Sequence, residues 1–329
     1  MSVKEDIIKI FDENRGESFS GQQLAKRLNV SRNAVWKAVC ELKKDGYRFD
    51  TARGRGYALL PDNDVLGKDG ICKNLKNRDF YRVEVFDEVT STNKIARQKA
   101  ADGEKEGYVC IAASQTQGRG RMGRSFFSPD KSGLYLSVIL RPEISVQSSA
   151  LITTAAAAAV SRAIDFVSGK TSKIKWVNDI FVNGKKVCGI LTEAATAVED
   201  GRLDYAVLGI GVNVYAPEDG FPREIENIAG CVFDMRKSDM KNRLAAEILD
   251  NFYEYYKVLE KRTFVEYYKE RQLAVGKNIV VISGDKRYNA KCVGINDDCS
   301  LAAEKENGEI VTLSSGEISI RINDISNER

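Results

Sequence analysis

The segment Tyr108–Leu140, YVCIAASQTQGRGRMGRSFFSPDKSGLYLSVIL, decides which kind of α/β fold is available to this chain. Its centre, Gly118-Arg119-Gly120-Arg121-Met122-Gly123-Arg124, contains GxGxxG in letter form. A dinucleotide-binding fold needs a strand before such a loop, a helix after it and an acidic residue further on for the ribose. Tyr108–Ala113 supplies a strand pattern, but Gly133–Leu140 reads as a second strand, so the helix is missing. Three arginines also crowd where bare backbone should meet a pyrophosphate. The Rossmann reading is rejected, and the lack of a GxxxxGK(S/T) motif rejects a P-loop. What the loop offers is Arg119, Arg121 and Arg124 on a glycine backbone. Guanidinium groups bind phosphate bidentately and stay charged when water is excluded, so the loop could close over a polyphosphate. A solvated basic loop, or an RNA-binding arginine stretch, would use the same residues.

Outward from this loop, a second cluster lies at Lys175-Trp176-Val177-Asn178-Asp179, followed by apolar runs around Asn183-Gly184. Asn-Gly between apolar runs is the strongest short hairpin signal and predicts a type I′ turn. Lys185 and Lys186 open the return strand, and alternation sends them to opposite faces, so only one can enter a site. Asn178 and Asp179 could hold a cation or accept protons; a surface turn and a capping Asp are the bland alternative.

The first sixty residues read differently. They hold 12 Lys+Arg and 8 Asp+Glu, and residues 20–60 hold nine basic to three acidic, whereas the rest of the chain is nearly neutral. Val3, Ile7, Ile8 and Phe11 recur at helical spacing. Ser20-Gly21-Gln22-Gln23 reads as a capping box opening a helix with Leu24, Ala25 and Leu28 inward. Ser31 caps a third helix with Val35, Val39 and Leu42 inward, and Gly46 ends it. This is a helix-turn-helix, whose second helix reads the major groove from its N-terminal residues: here Ser31, Arg32, Asn33, Trp36 and Lys37. Strand patterns at Tyr47–Thr51 and Tyr57–Leu60 flank Arg53-Gly54-Arg55-Gly56, a basic wing. The basic excess suits DNA; docking to a protein is the alternative use of the same fold. Pro61-Asp62-Asn63-Asp64 marks the boundary.

Composition limits the chemistry. The 329 residues carry no His, seven Cys without a CxxC pair, and a net charge of +3. Imidazole acid–base steps, Ser-His-Asp or Cys-His nucleophiles and HExxH zinc sites are therefore excluded. No apolar run approaches the ~18 residues of a membrane span, and the N-terminus lacks signal-peptide character, so a cytoplasmic protein with no membrane partner is expected. Ser148–Val167, with its Ala155–Ala159 run, predicts a buried helix on a sheet built from residues 80–86, 109–114, 134–140, 173–176, 180–191 and 205–213. Helices are expected at 241–259 and 263–273, and beyond Gly276 five short strands suggest a small β-barrel.

Taken together, these residues resemble the biotin protein ligase family, specifically its bifunctional members that also repress biotin-synthesis operons. Gly118–Arg124 resembles the family's GRGRxGR loop, and Lys175–Glu193 its KWPNDxxxxxxKxxGIL segment. Ser91-Thr92-Asn93 is similar to its STN, Gln115 to its loop glutamine, Gly209–Asn213 to its GIGxN strand, and Gly316–Arg321 to the end of its C-terminal domain. The departures are Val177 for the usual Pro, Met122 at a variable arginine position, and Phe126 where Trp is often found.

The resemblance implies an α+β multidomain fold. It comprises a winged helix-turn-helix (1–62), a mixed-sheet α/β catalytic domain (63–274) and a small SH3-like β-barrel (275–329). It also implies ATP-dependent ligation: biotin and ATP give biotinyl-5′-AMP and pyrophosphate, and a carrier lysine then displaces AMP. Lys186, Arg119, Arg121 and Asp179 would be catalytic. Ser91, Thr92, Asn93, Gln115, Gly118, Arg119, Arg121, Lys186 and Gly189 would bind biotin. Arg121, Arg124, Phe126, Asn178, Lys186, Asn213 and Arg321 would bind ATP or the adenylate, with Asn178 helping to hold Mg²⁺. Ser31, Arg32, Asn33, Trp36, Lys37, Arg53 and Arg55 would contact DNA. The implied partners are a biotin carboxyl carrier domain of acetyl-CoA carboxylase or a related biotin-dependent carboxylase, operator DNA, and a second copy of the chain when adenylate is bound. A lipoate- or octanoate-type ligase, or a non-catalytic biotin sensor, are the alternatives.

Overall fold

The computed structural model of the chain describes residues 2–14, 16–51, 56–196, 203–283, 286–314 and 318–322. They form two compact units, Met1–Gly70 with Met235–Asn242, and Ile71–Asp234 with Arg243–Arg329.

In the first unit, α1 (Val3–Glu13), α2 (Gly21–Leu28) and α3 (Arg32–Lys44) are the expected helices. They are joined by a small antiparallel sheet of β1 (Ser18–Phe19), β2 (Phe49–Asp50) and β3 (Tyr57–Leu59) in the order β1-β3-β2. The capping box is present: Gln23 N donates to Ser20 Oγ at 3.2 Å and Ser20 N to Gln23 Oε1 at 2.7 Å. Asn29 closes α2 in the left-handed conformation, φ 53°, which makes the tight turn, and Ser31 Oγ caps α3 by accepting from Ala34 N at 3.1 Å. Ile7, Phe11, Phe19, Leu24, Val35, Val39, Leu42 and Phe49 make one buried core. Arg53 and Arg55, at the expected wing tip, lie outside the described residues. The linker is tied to a segment far along the chain: Asp64 Oδ1 accepts from Lys241 N at 2.9 Å and Asn242 Oδ1 from Gly67 N at 3.0 Å.

The second unit follows α4 (Lys68–Asn74), which starts in the first, and is built on a seven-stranded sheet. Its strands are β4 (Arg82–Val89), β5 (Tyr108–Gln115), β6 (Gly133–Leu140), β7 (Ser172–Lys175), β8 (Asp179–Val182), β9 (Lys185–Thr196) and β10 (Leu203–Asn213), in the order β4-β5-β6-β10-β9-β8-β7. Only β4 and β5 pair in parallel, so the sheet is mixed as expected. α5 (Thr92–Ala101) packs on β5, β6 and β10, and α6 (Ala150–Ser168) on β7, β8 and β9. Contrary to the reading of the sequence, α6 is long and apolar enough to cross a membrane; 67% of its most apolar 18-residue stretch is buried, and its Ala155–Ala159 run lies wholly inside the protein. Packing on the sheet accounts for its composition. The Asn183-Gly184 turn has positive φ at both residues, 51° and 75°, as a type I′ hairpin requires.

α7 (Met240–Tyr256) and α8 (Val265–Glu270) lead to a five-stranded antiparallel sheet: β11 (Asn278–Ser283), β12 (Lys286–Ile295), β13 (Leu301–Lys305), β14 (Ile310–Leu313) and β15 (Ile318–Ile322). The turn before Asn178 is held by the loop between β12 and β13 and by α8: Cys299 O accepts from Trp176 Nε1 at 3.0 Å, and Tyr268 OH donates to Val177 O at 3.0 Å.

Candidate functional site

A cavity of about 140 Å³ opens over the middle of the sheet. Ser91, Thr92 and Asn93 reach it from the start of α5, and Gln115 from the end of β5. Arg119, Arg121, Arg124 and Phe126 border it from the glycine loop, and Asn178, Lys186 and Gly189 from the β7–β9 region. Gly118, Asp179 and Asn213 are not among its lining residues, although Asp179 pairs with Lys186, which is. Arg321 is on β15, and its side chain lies outside the described residues.

The floor is made by missing side chains. A Cβ on Gly211 would lie 2.6 Å from the Phe126 ring, and one on Gly209 would lie 2.0 Å from Asn93 Oδ1. The two glycines of β10 therefore let an aromatic cover and a polar side chain lie directly on the sheet.

One end of the cavity is uncharged and hydrogen-bonded. Thr92 N and Oγ1 both donate to Gln115 Oε1, at 2.9 and 3.1 Å, and Gln115 Nε2 donates to Ser128 Oγ at 3.0 Å. Buried Ser137 Oγ donates to Asn93 Oδ1 at 2.6 Å and lies 2.8 Å from Thr92 Oγ1. Fixed amides and hydroxyls of this kind suit a neutral, hydrogen-bonding ring.

The other end is charged. Lys186 Nζ lies 2.6 Å from Asp179 Oδ1. Its backbone is held on both sides by one segment: Lys186 N donates to Ile228 O at 2.7 Å, and Gly230 N to Lys186 O at 2.8 Å. Lys185 points away and donates to Asn227 O at 2.5 Å, so strand alternation selects Lys186 for the cavity. Arg121 Nη1 donates to Asn178 Oδ1 at 3.1 Å, and Asn178 Nδ2 to Ile190 O at 2.7 Å. Burial lowers the pKa of Arg121, opposed by the charge of Asp179; a guanidinium starts so high that it stays protonated. Asn213 Nδ2 donates to Gly230 O at 3.1 Å, joining the end of β10 to the segment that holds Lys186.

Three residues escaped the sequence reading: Ser128, Ser137 and Glu193. Glu193 accepts from Asn93 Nδ2 at 2.8 Å and pairs with Arg119 Nη1 at 3.7 Å. It follows Gly189 and Leu191 at two-residue spacing on β9, and both of those line the cavity, so the signal was a carboxylate in register on an otherwise apolar face.

The Asn178 amide oxygen accepts one hydrogen bond, from the Arg121 guanidinium. Among the described residues no group of three or more Cys, Asp or Glu side chains could hold a metal ion.

In the first unit, Ser31, Arg32, Asn33, Trp36 and Lys37 are all exposed on the first two turns of α3, with Trp36 at 55%. An exposed Trp beside two cations on a helix N-terminus is a surface built for contact.

The loop carrying Arg119, Arg121 and Arg124 is closed on itself by Phe126 N to Gly118 O at 2.9 Å and Gly120 N to Arg124 O at 2.7 Å, and an anion bridging its arginines should tighten it further. Hydrogen exchange across residues 115–128 is expected to slow at least tenfold when a phosphate-bearing ligand fills the cavity, on the order of the 1.4 kcal/mol of one added charge-assisted contact. Equal exchange with and without the ligand would argue for a rigid loop.

Residues 85–213 match the Biotin/lipoate A/B protein ligase family, residues 3–58 an HTH domain, and residues 274–321 the Biotin protein ligase C terminal domain. The chain is 33% identical over 312 residues to the Bifunctional ligase/repressor BirA of Bacillus subtilis, covering 93% of this chain and 95% of that one. It is 28% identical over 250 residues to the Biotin--[acetyl-CoA-carboxylase] ligase of Mycobacterium tuberculosis, covering 73% of this chain and 89% of that one. The structure of the biotin protein ligase of Aquifex aeolicus in complex with biotin and ATP aligns at a TM-score of 0.57 and 25% identity, over 73% of this chain and 98% of that one.

Proposed function

The chain belongs to the biotin protein ligase family, and from that premise we propose that it is a bifunctional member: an ATP-dependent biotin ligase and a repressor acting on operator DNA. The observation that carries the reading is the cavity over the sheet, where a hydrogen-bonding end built on Thr92 and Gln115 meets a cationic end built on Arg119, Arg121 and Lys186. Biotin fits this division, with its ureido ring at the first end and its carboxylate at the second.

A carboxylate is a poor electrophile, so amide formation needs activation. One biotin carboxylate oxygen attacks the α-phosphorus of ATP; the bond to the β-phosphate oxygen breaks, and pyrophosphate leaves. The ε-amine of a carrier lysine then attacks the biotinyl carbonyl, loses a proton, and AMP leaves. Neither step needs a nucleophile from the protein, in keeping with a chain that has no histidine. Positioning and charge stabilisation suffice. Lys186 lies between carboxylate and α-phosphate, and Arg119, Arg121 and Arg124 offset the phosphates. Asp179, 2.6 Å from Lys186, orients the reacting groups and takes the proton of the incoming amine. Mg²⁺ bound with ATP would offset the charge of its phosphates, and Asn178 is the residue that would help hold it.

The carrier is a biotin carboxyl carrier domain of acetyl-CoA carboxylase or a related enzyme, and the reaction belongs in the cytoplasm. Dimerisation in the adenylate-bound state is supported by β9: among the described residues, 191–196 pair with β10 on one side and with no strand on the other. An open edge of this kind is a template for pairing with a second copy.

The test is transfer of labelled biotin by the full chain to a carrier domain with Mg-ATP present. One AMP and one pyrophosphate per biotin transferred is the expected result. Preferential transfer of lipoate or octanoate, or biotin binding without pyrophosphate release, would replace this reading.

A further inference from the structure

Arg119 stands between two glycines, Gly118 and Gly120, so the loop itself does little to fix its guanidinium. A cation that must meet an anion in a defined place needs a partner on a rigid element. β9 provides one. Glu193 Oε1 lies 3.7 Å from Arg119 Nη1, and its other oxygen accepts from Asn93 Nδ2 at 2.8 Å. Asn93 is buried at the start of α5, and its oxygen accepts from Ser137 at 2.6 Å. Ser137 adjoins Thr92, Thr92 donates to Gln115, and Gln115 donates to Ser128. The chain of contacts thus leaves the 115–128 segment at Arg119, crosses the sheet, and re-enters that segment at Gln115 and Ser128. Glu193 is its one charged acceptor. It joins the cationic end of the cavity to the hydrogen-bonding end.

We propose that Glu193 is a positioning residue: its carboxylate holds Arg119 over the cavity while fixing Asn93 and, through Ser137, the Thr92–Gln115 pair beneath. The inference rests on the reading of the cavity as the site for biotin and adenylate. Glu193 is not among the residues that line the cavity, and it acts through its two partners. Because Arg119 remains about half exposed, the ion pair is worth little to folding and acts chiefly on where the guanidinium rests.

Glu193→Gln keeps an oxygen to accept from Asn93 and removes the charge that holds Arg119. In biotin-dependent pyrophosphate release it is expected to raise the KM for biotin about three- to fivefold, the scale of a partly exposed ion pair, with kcat within about twofold and an unchanged unfolding midpoint. Glu193→Ala also strands the buried Asn93 amide, so it should raise KM further and lower the unfolding midpoint. The decisive measurement is the coupling to Arg119. In an Arg119→Ala background, Glu193→Gln should leave KM where Arg119→Ala alone puts it, because the group it positions is gone. A Glu193→Gln protein with wild-type KM, or one whose effect adds in full to that of Arg119→Ala, overturns the assignment. A wild-type chain that releases no pyrophosphate with biotin overturns the reading of the cavity, and this inference with it.

Discussion

Lys186→Ala is expected to slow biotinyl-5′-AMP formation by about 10²–10³-fold, the range found when one preorganised donor is removed from a developing charge. The reason lies in the local arrangement. The Lys186 ammonium is 2.6 Å from Asp179, and its backbone is held by Ile228 and Gly230, so it does not search for its position. As the carboxylate attacks the α-phosphate, negative charge grows on the phosphoryl oxygens, and a fixed cation stabilises that state more than the bound substrates. Truncation removes the cation and leaves the Asp179 carboxylate facing the same anions, so both changes act in one direction. Lys186→Arg should recover part of the rate, since charge is kept and reach is altered. Single-turnover measurement of adenylate formation separates this from biotin binding, which should weaken far less. A rate within a few-fold of wild type, about 1 kcal/mol or less in the barrier, would remove Lys186 from the reaction.

The same geometry explains what the sequence could and could not disclose. The winged-helix unit was legible because its signals are local. Ser20 and Gln23 are three residues apart, Ser31 caps by the same device, and the core positions recur at helical spacing. The hairpin at Asn183-Gly184 was legible for the same reason, and it meant that only one of Lys185 and Lys186 could enter the cavity; which one is shown by the structure, where Lys185 bonds to Asn227 and Lys186 lines the cavity. α5 was not read as a helix, because the residues it buries are Thr92, Asn93, Ala96 and Ala100. Small and polar groups give no apolar stripe, and here they face a cavity instead of a greasy core. Membership of the long α6 in the core likewise depends on the sheet beneath it, which no window of composition contains. Glu193 was passed over because a carboxylate on a strand reads as solvent-facing until the strand's two neighbours, Arg119 and Asn93, are known. The attachment of residues 235–242 to the first unit spans about 170 residues of sequence, since Lys241 donates to Asp64, and nothing at either end announces it. What sequence reading loses, in each case, is a partner supplied from elsewhere in the chain.

Operator binding is expected to strengthen by about 10²-fold or more when biotin and ATP are supplied together, and not with either alone, because two tethered modules bind far more tightly than one. On the proposed reading a single helix-turn-helix would present Arg32, Asn33, Trp36 and Lys37 to one half-site, and the excess of nine basic over three acidic residues in 20–60 would add phosphate contacts that carry no sequence information. Such a monomer should bind weakly and with strong salt dependence. Two copies related by a two-fold axis read an inverted repeat, and the second contact becomes effectively intramolecular. The open stretch 191–196 of β9 is the proposed seam, and it continues the strand whose earlier residues, Lys186 and Gly189, border the cavity. Ligand that orders the neighbouring loop therefore acts on the edge through the same strand. A carrier domain that needs this face competes with the second copy, so transfer of biotin and repression should exclude each other. Sedimentation with and without adenylate, run beside an operator titration, reads both halves of the coupling. Added carrier domain should lower operator occupancy in step with the fraction of dimer. If adenylate leaves self-association unchanged while operator affinity still rises, the coupling runs within one chain and the seam at β9 is the wrong one.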